Sequence, residues 1–85
     1  MNAPFTLLLP PHSIEAEQSL IGGLLLDGRA WDRIADLVSE ADFYRDDHRR
    51  IFRHIALLAG AGKPADVVTV FESIDLDVPA PIITL

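Results

Sequence analysis

The stretch SIEAEQSLIGGLLLDG, Ser13 to Gly28, decides the class of fold. Ser13 is a good helix N-cap, since its hydroxyl can accept from an otherwise orphaned N–H of the first turn. Glu15 and Glu17 follow where the helix dipole favours acids. Ile14, Leu20, Ile21, Leu24 and Leu25 recur at helical spacing and share one wide face, which predicts a helix from Ile14 to about Asp27, ended by Gly28. Glu17 projects onto that same apolar face, between Leu24 and Ile21. A carboxylate at the edge of a core must find a hydrogen bond or an ion pair; a catalytic role would need a second acid, and none is placed to work with it. Gly22 and Gly23 each cost about 1 kcal/mol relative to Ala inside a helix. Their presence predicts that another helix backbone approaches closely there.

Working outward, the segment from Ala30 to about Val38 gathers Trp31, Ile34, Ala35, Leu37 and Val38 on one side. Asp32, Arg33, Asp36 and Ser39 fall on the other, as expected of a surface helix anchored by Trp31. Phe43 and Tyr44 sit in a short connection, with Phe43 expected to plug the core. Asp46 or Asp47 can cap a third helix reaching about Ala59. Its apolar face is Ile51, Phe52, Ile55, Leu58 and Ala59; Arg49, Arg50, Arg53, His54 and Leu57 form the other. His48, near the start on the apolar side, reads as a buried, hydrogen-bonded histidine. Gly60, Gly62 and Pro64 break the chain, and Asp66 caps a fourth segment in which Val67, Val70, Phe71 and Ile74 share a face. Its β-branched residues would suit a strand, but the apolar spacing is helical. The expected fold is all-α, a compact bundle of about four helices with Trp31, Phe43, Phe52 and Phe71 as core anchors.

A chain of 85 residues with 49% hydrophobic content builds one small domain. A domain of this size buries only about 60 to 65% of its unfolded surface, so surface borrowed from a partner would help it. The absence of cysteine removes disulfides, thiolate zinc sites and cysteine nucleophiles, and suits a reducing cytoplasm. The opening, MNAPFTLLLPPHS, has no Lys or Arg, and its apolar run from Phe5 to Leu9 stops at Pro10 and Pro11; residues 1–12 are expected to be an extended arm. No stretch approaches the roughly 18 apolar residues that span a bilayer, so no membrane partner is expected.

Thirteen acids against seven bases leave a net charge of -6, the wrong sign for a domain that grips phosphates. The bases are unevenly spread, however, with four of them between Arg45 and Arg53. Arg49, Arg50, Arg53 and Leu57 form the candidate partner-binding face, an exposed leucine ringed by arginines. A solvated basic face with one stray apolar residue is the plainer account of the same pattern.

No catalytic, cofactor-binding or metal-ligating residue is assigned. GLLLDGRA, Gly23 to Ala30, has the glycine spacing of a phosphate-binding loop, but Arg29 and Ala30 replace the required Lys and Ser/Thr. GAGKP around Lys63 lacks a hydroxyl for magnesium, and Pro64 opposes the helix that would cradle a phosphate. His12, His48 and His54 show no ligand spacing for zinc. No Ser/His/Asp set can be argued, because nothing in the sequence brings such residues together.

Three ordered pieces, LPPHSIEAEQSLIGGLLLDGRAWDRIAD, DFYRDDHRRIF and GKPADVVTVFESI, resemble the opening of DnaB-type bacterial replicative DNA helicases, over about Leu9 to Ile74. The resemblance implies a compact N-terminal helical domain in the collar of a hexameric ring, taking part in DNA replication with other helicase subunits, primase and a helicase loader as partners. It also implies that ATP and magnesium belong to a separate RecA-like motor domain, so that the parent is an ATP-dependent helicase while this chain is not itself an enzyme. Direct contact with nucleic acid is not expected of this domain. The helical domain of this type is expected over residues 13–75; residues 76–85 read as a divergent tail, in which Pro79 and Pro81 oppose a continuous helix. The helical hairpin, linker and motor that follow in the family are absent from these 85 residues. Two other readings use the same residues: a stand-alone regulatory relative that competes for primase or loader, and a small DNA-binding module presenting Arg49, Arg50 and Arg53, which the net charge opposes.

Overall fold

The computed structural model describes residues 12–77, which form four α-helices and one short 3₁₀ turn. Helix α1 spans Ile14–Leu26. Ser13 Oγ accepts from the Ala16 N–H at 3.2 Å, as its place before the apolar run predicts. Asp27 closes α1, its N–H donating to the Gly23 carbonyl at 3.0 Å, and its carboxylate accepts from the Arg29 N–H at 3.0 Å to open the next helix. Gly23 to Leu26 are therefore helical, and the P-loop-like spacing they share with Arg29 and Ala30 forms no phosphate-cradling loop.

Helix α2 covers only Arg29–Ile34, shorter than the Ala30 to Val38 expected from periodicity. The reason lies just downstream. Ser39 N–H donates to Asp42 Oδ2 at 2.8 Å, making a capping box for the 3₁₀ turn Glu40–Asp42, and the chain must leave helical geometry before Ser39 to form it. The exit sends Val38 into the core at 6% exposure, whereas Leu37, expected on the apolar face, stays 40% exposed.

Helix α3, Asp46–Gly60, follows an N-cap at Arg45. Asp46 and Asp47 thus lie inside the first turn rather than at the cap, where the dipole still favours them. The helix ends through Gly62, whose φ of +73° is the left-handed geometry glycine supplies at no steric cost, and the Lys63 N–H returns to the Leu58 carbonyl at 2.9 Å. Helix α4 runs Val67–Asp77, and Asp66 Oδ1 accepts from the Thr69 N–H at 2.8 Å, the expected cap. The fourth segment is a helix, and no helix among the described residues is long and apolar enough to cross a membrane.

The core is Ile21, Leu24, Val38, Phe43, Phe52, Ile55 and Val70, with the Phe43 and Phe52 rings 4.9 Å apart. Phe43 and Phe52 are the anchors expected. Trp31 is only half-buried and leans on Phe52 from the rim, its ring 5.6 Å away. Phe71 is a correction: it is 46% exposed, and Val70 occupies the core position instead. The side of α4 that faces α3 carries the buried Val70 and the half-buried Ser73 and Ile74, with Asp77 at its exposed end, spaced i, i+3, i+4, i+7. It is polar at Ser73 and Asp77, which His54 of α3 meets. His54, read from sequence onto the polar face of α3, is accordingly 3% exposed.

The glycine pair is a second correction. A Cβ built on Gly22 or Gly23 would meet no heavy atom within 4 Å among the described residues, so none of the described helices packs closely there. The expected arm, residues 1–12, lies outside the described residues except for His12. The expected tail, 76–85, does so except for Leu76 and Asp77, which extend α4.

Candidate functional site

The first turn of α1 and the first turn of α3 are joined by one buried carboxylate. Glu17, 1% exposed, accepts from the Tyr44 N–H at 2.6 Å, the Arg45 N–H at 3.4 Å and His48 Nδ1 at 2.7 Å. Burial alone would raise its pKa, but the hydrogen bonds from Tyr44, His48 and Arg45 outweigh burial and hold it below the ordinary carboxylate value. An ionised carboxylate only accepts, so the His48 tautomer facing it carries its proton on Nδ1. This junction sets where Arg45 and the first turn of α3 stand, and hence the direction of the side chains that follow.

Arg49, Arg53 and Leu57 run along the outward side of α3 at successive i, i+4 positions, with Arg50 beside them. The structure therefore brings the four candidate residues onto one helix surface. It also shows what they hold. Arg49 Nη1 donates to the Phe43 carbonyl at 2.8 Å and the Tyr44 carbonyl at 3.1 Å, and its guanidinium pairs with Asp46. Arg53 grips Glu40 in a fork, Nε and Nη2 at 3.1 and 2.9 Å from Oε2. Glu40 is held below the ordinary carboxylate range by that hydrogen bond. Arg50 is half-buried and forms no ion pair among the described residues; Leu57 is 61% exposed.

Two of the three guanidiniums are therefore already neutralised by the chain's own acids. Exposed pairs of this kind add only about 0 to 1 kcal/mol to stability, but a bidentate fork fixes the plane and position of the guanidinium. Guanidiniums already paired with the chain's own acids have less free charge to offer a run of phosphates. Sequence reasoning missed Glu40, which lies thirteen residues from Arg53 and carries no local signal. Asp46 could have been found from its i, i+3 spacing to Arg49. Tyr44, 57% exposed and edge-on to the His12 ring at 4.3 Å, stands at the α1 end of this surface.

The structure also assembles a Ser/His/Asp set that sequence could not. His54 Nδ1 lies 2.7 Å from Ser73 Oγ, and Nε2 lies 3.3 Å from Asp77 Oδ2. Ser73 sits inside α4, however, where the neighbouring N–H groups belong to the helical ladder rather than to an oxyanion hole. What the three residues do is tie α4 to α3.

The family described as DnaB-like helicase N terminal domain matches residues 9–78. Over 75 residues, the chain is 45% identical to a replicative DNA helicase DnaB of Buchnera aphidicola from Acyrthosiphon pisum, a match covering 88% of this chain and 16% of that protein. It is 45% identical over 65 residues to the replicative DNA helicase DnaB of Pasteurella multocida, covering 76% of this chain and 14% of the relative. With the Geobacillus stearothermophilus protein of the same name the identity is 40% over 70 residues, covering 82% of this chain and 15% of the relative. The chain thus spans about one sixth of the length of the first of these relatives.

Proposed function

Because the chain belongs to the DnaB-like helicase N terminal domain family, we propose that it serves DNA replication as an interaction module rather than as a motor. In this reading the domain stands in the collar of a ring of helicase subunits in the cytoplasm and docks primase and a helicase loader. ATP and magnesium act in a separate motor domain. The observation that carries the proposal is the family match over residues 9–78, which contains all four helices. The α3 surface supplies the means. The guanidiniums of Arg49 and Arg53 are held in place by Asp46 and Glu40, and Leu57 stands exposed at its end. Such an array is preorganised, so docking on it would cost little side-chain entropy.

The test is a two-dimensional amide spectrum of the labelled chain, alone and with the helicase-binding C-terminal domain of the cognate primase, then with the loader. Shifts confined to the outward positions of α3 are expected. Arg50→Glu and Leu57→Ser should weaken binding while leaving the melting temperature in place, because neither side chain supports the core. A folded chain whose peaks ignore both proteins would overturn the proposal.

A further inference from the structure

Helix α4 presents to solvent a second surface, of opposite charge to that on α3. Val67, Val68 and Phe71 are 45%, 67% and 46% exposed, and at i, i+1 and i+4 they adjoin on the outer side of the helix, away from Val70. Glu72 and Asp75 are exposed on the same side, one turn further along. From Val67 to Asp77 the helix contains three acids, Glu72, Asp75 and Asp77, without one Lys or Arg, and its last turn has no base to oppose the helix dipole. The outer side of α4 is therefore apolar in its N-terminal half and carries Glu72 and Asp75 beside the exposed Leu76 in its C-terminal half. The rotation that exposes it is fixed by His54, which holds Ser73 toward α3 at 2.7 Å and reaches Asp77 at the helix end, leaving Phe71 outside.

We propose that this surface binds a basic amphipathic helix of a partner protein. The apolar side chains of that helix would cover Val67, Val68 and Phe71, and its Lys or Arg residues would meet Glu72 and Asp75. Charge complementarity selects the occupant: an acidic helix would set like charges against Glu72, Asp75 and the negative end of the α4 dipole. The surface on α3 and this one on α4 then face different partners, the first met by arginines and the second by carboxylates.

The probe is a designed amphipathic Leu/Lys peptide of about 18 residues, five helical turns, titrated into the labelled chain, with a Leu/Glu peptide of the same pattern as control. The Leu/Lys peptide should shift amides from Val67 to Asp75 in a saturable way, and the Leu/Glu peptide should leave them in place. The doubly reversed variant E72K/D75K should bind about tenfold more weakly, the equivalent of about 1.4 kcal/mol, and Phe71→Ser should lose binding while both keep a dispersed spectrum. Equal binding of the two peptides would overturn the proposal, as would shifts mapping to α3. Concentration-dependent shifts of the same amides without peptide would assign the surface to a second copy of the chain and overturn it too.

Discussion

Glu17 Oε1 and His48 Nδ1 lie 2.7 Å apart across a 31-residue separation in the chain, both nearly withdrawn from water. The carboxylate also receives the Tyr44 and Arg45 N–H groups, so one side chain closes the junction between α1, the loop after the 3₁₀ turn and α3. Removing it leaves buried donors with nothing to meet. Glu17→Ala should destabilise the domain by about 3 kcal/mol or more, and Glu17→Gln, which keeps one acceptor oxygen, by about 2 kcal/mol. Urea unfolding checks both. A loss within about 0.5 kcal/mol for Glu17→Ala would mean that water replaces the carboxylate freely.

The same junction gives stability a pH dependence. Glu17 is held below its ordinary value of 4.5 in the folded chain, so the folded state binds its proton less readily than the unfolded state. A depressed carboxylate contributes stability that is fully present above the unfolded value and is lost as pH falls through the folded one. The gap in urea midpoint between wild type and Glu17→Gln should therefore be widest near neutrality and narrow below about pH 4.5. A gap that stays constant down to pH 3 or so would remove Glu17 from the acid response.

His54 fastens α4 through Ser73 and Asp77, so Ser73→Ala should loosen that helix more than the rest. The hydroxyl is a partner of a buried ring nitrogen, and leaving the nitrogen unmatched costs about 1 to 3 kcal/mol. Amide exchange should quicken across Val67 to Asp77 while α1 keeps its protection. Uniform acceleration in both helices would show that α4 does not open separately.

Gly22 and Gly23 are expected to accept a side chain. Each lies in mid-helix with open space where a Cβ would stand. Gly23→Ala should raise stability by about 0.5 to 1 kcal/mol by reducing the freedom of the unfolded chain, which for a domain of this size is about 4 °C in melting temperature. A fall in melting temperature would reveal an element packed on that part of α1.

The contrast between α1 and α4 shows what could be read ahead of the structure. Helix α1 is capped by Ser13, buries Ile21 and Leu24, and places one of its two acids, Glu17, in the core, all as its pattern predicts. In α4 the pattern Val67, Val70, Phe71, Ile74 marks a helix correctly but not the direction it faces. The apolar stripe and the buried stripe differ by a rotation that places Phe71 outside and Ser73 inside. The partner-binding candidates fared similarly. Helical spacing placed Arg49, Arg53 and Leu57 on one surface, whereas the acids that hold the arginines include Glu40, which no spacing rule reaches.

By itself, the sequence determined the helical class, the caps at Ser13 and Asp66, the demand of Glu17 for a partner and the resemblance to a helicase family. These depend on hydrogen bonds and periodicity spanning only a few residues, and local order carries them. Only the tertiary structure decided which acid meets which base, where α2 stops, and which side of α4 is covered. Those outcomes follow from contacts such as His54 with Ser73, nineteen residues apart, where the cost of burying one polar side chain is met by a partner that only the folded chain brings near.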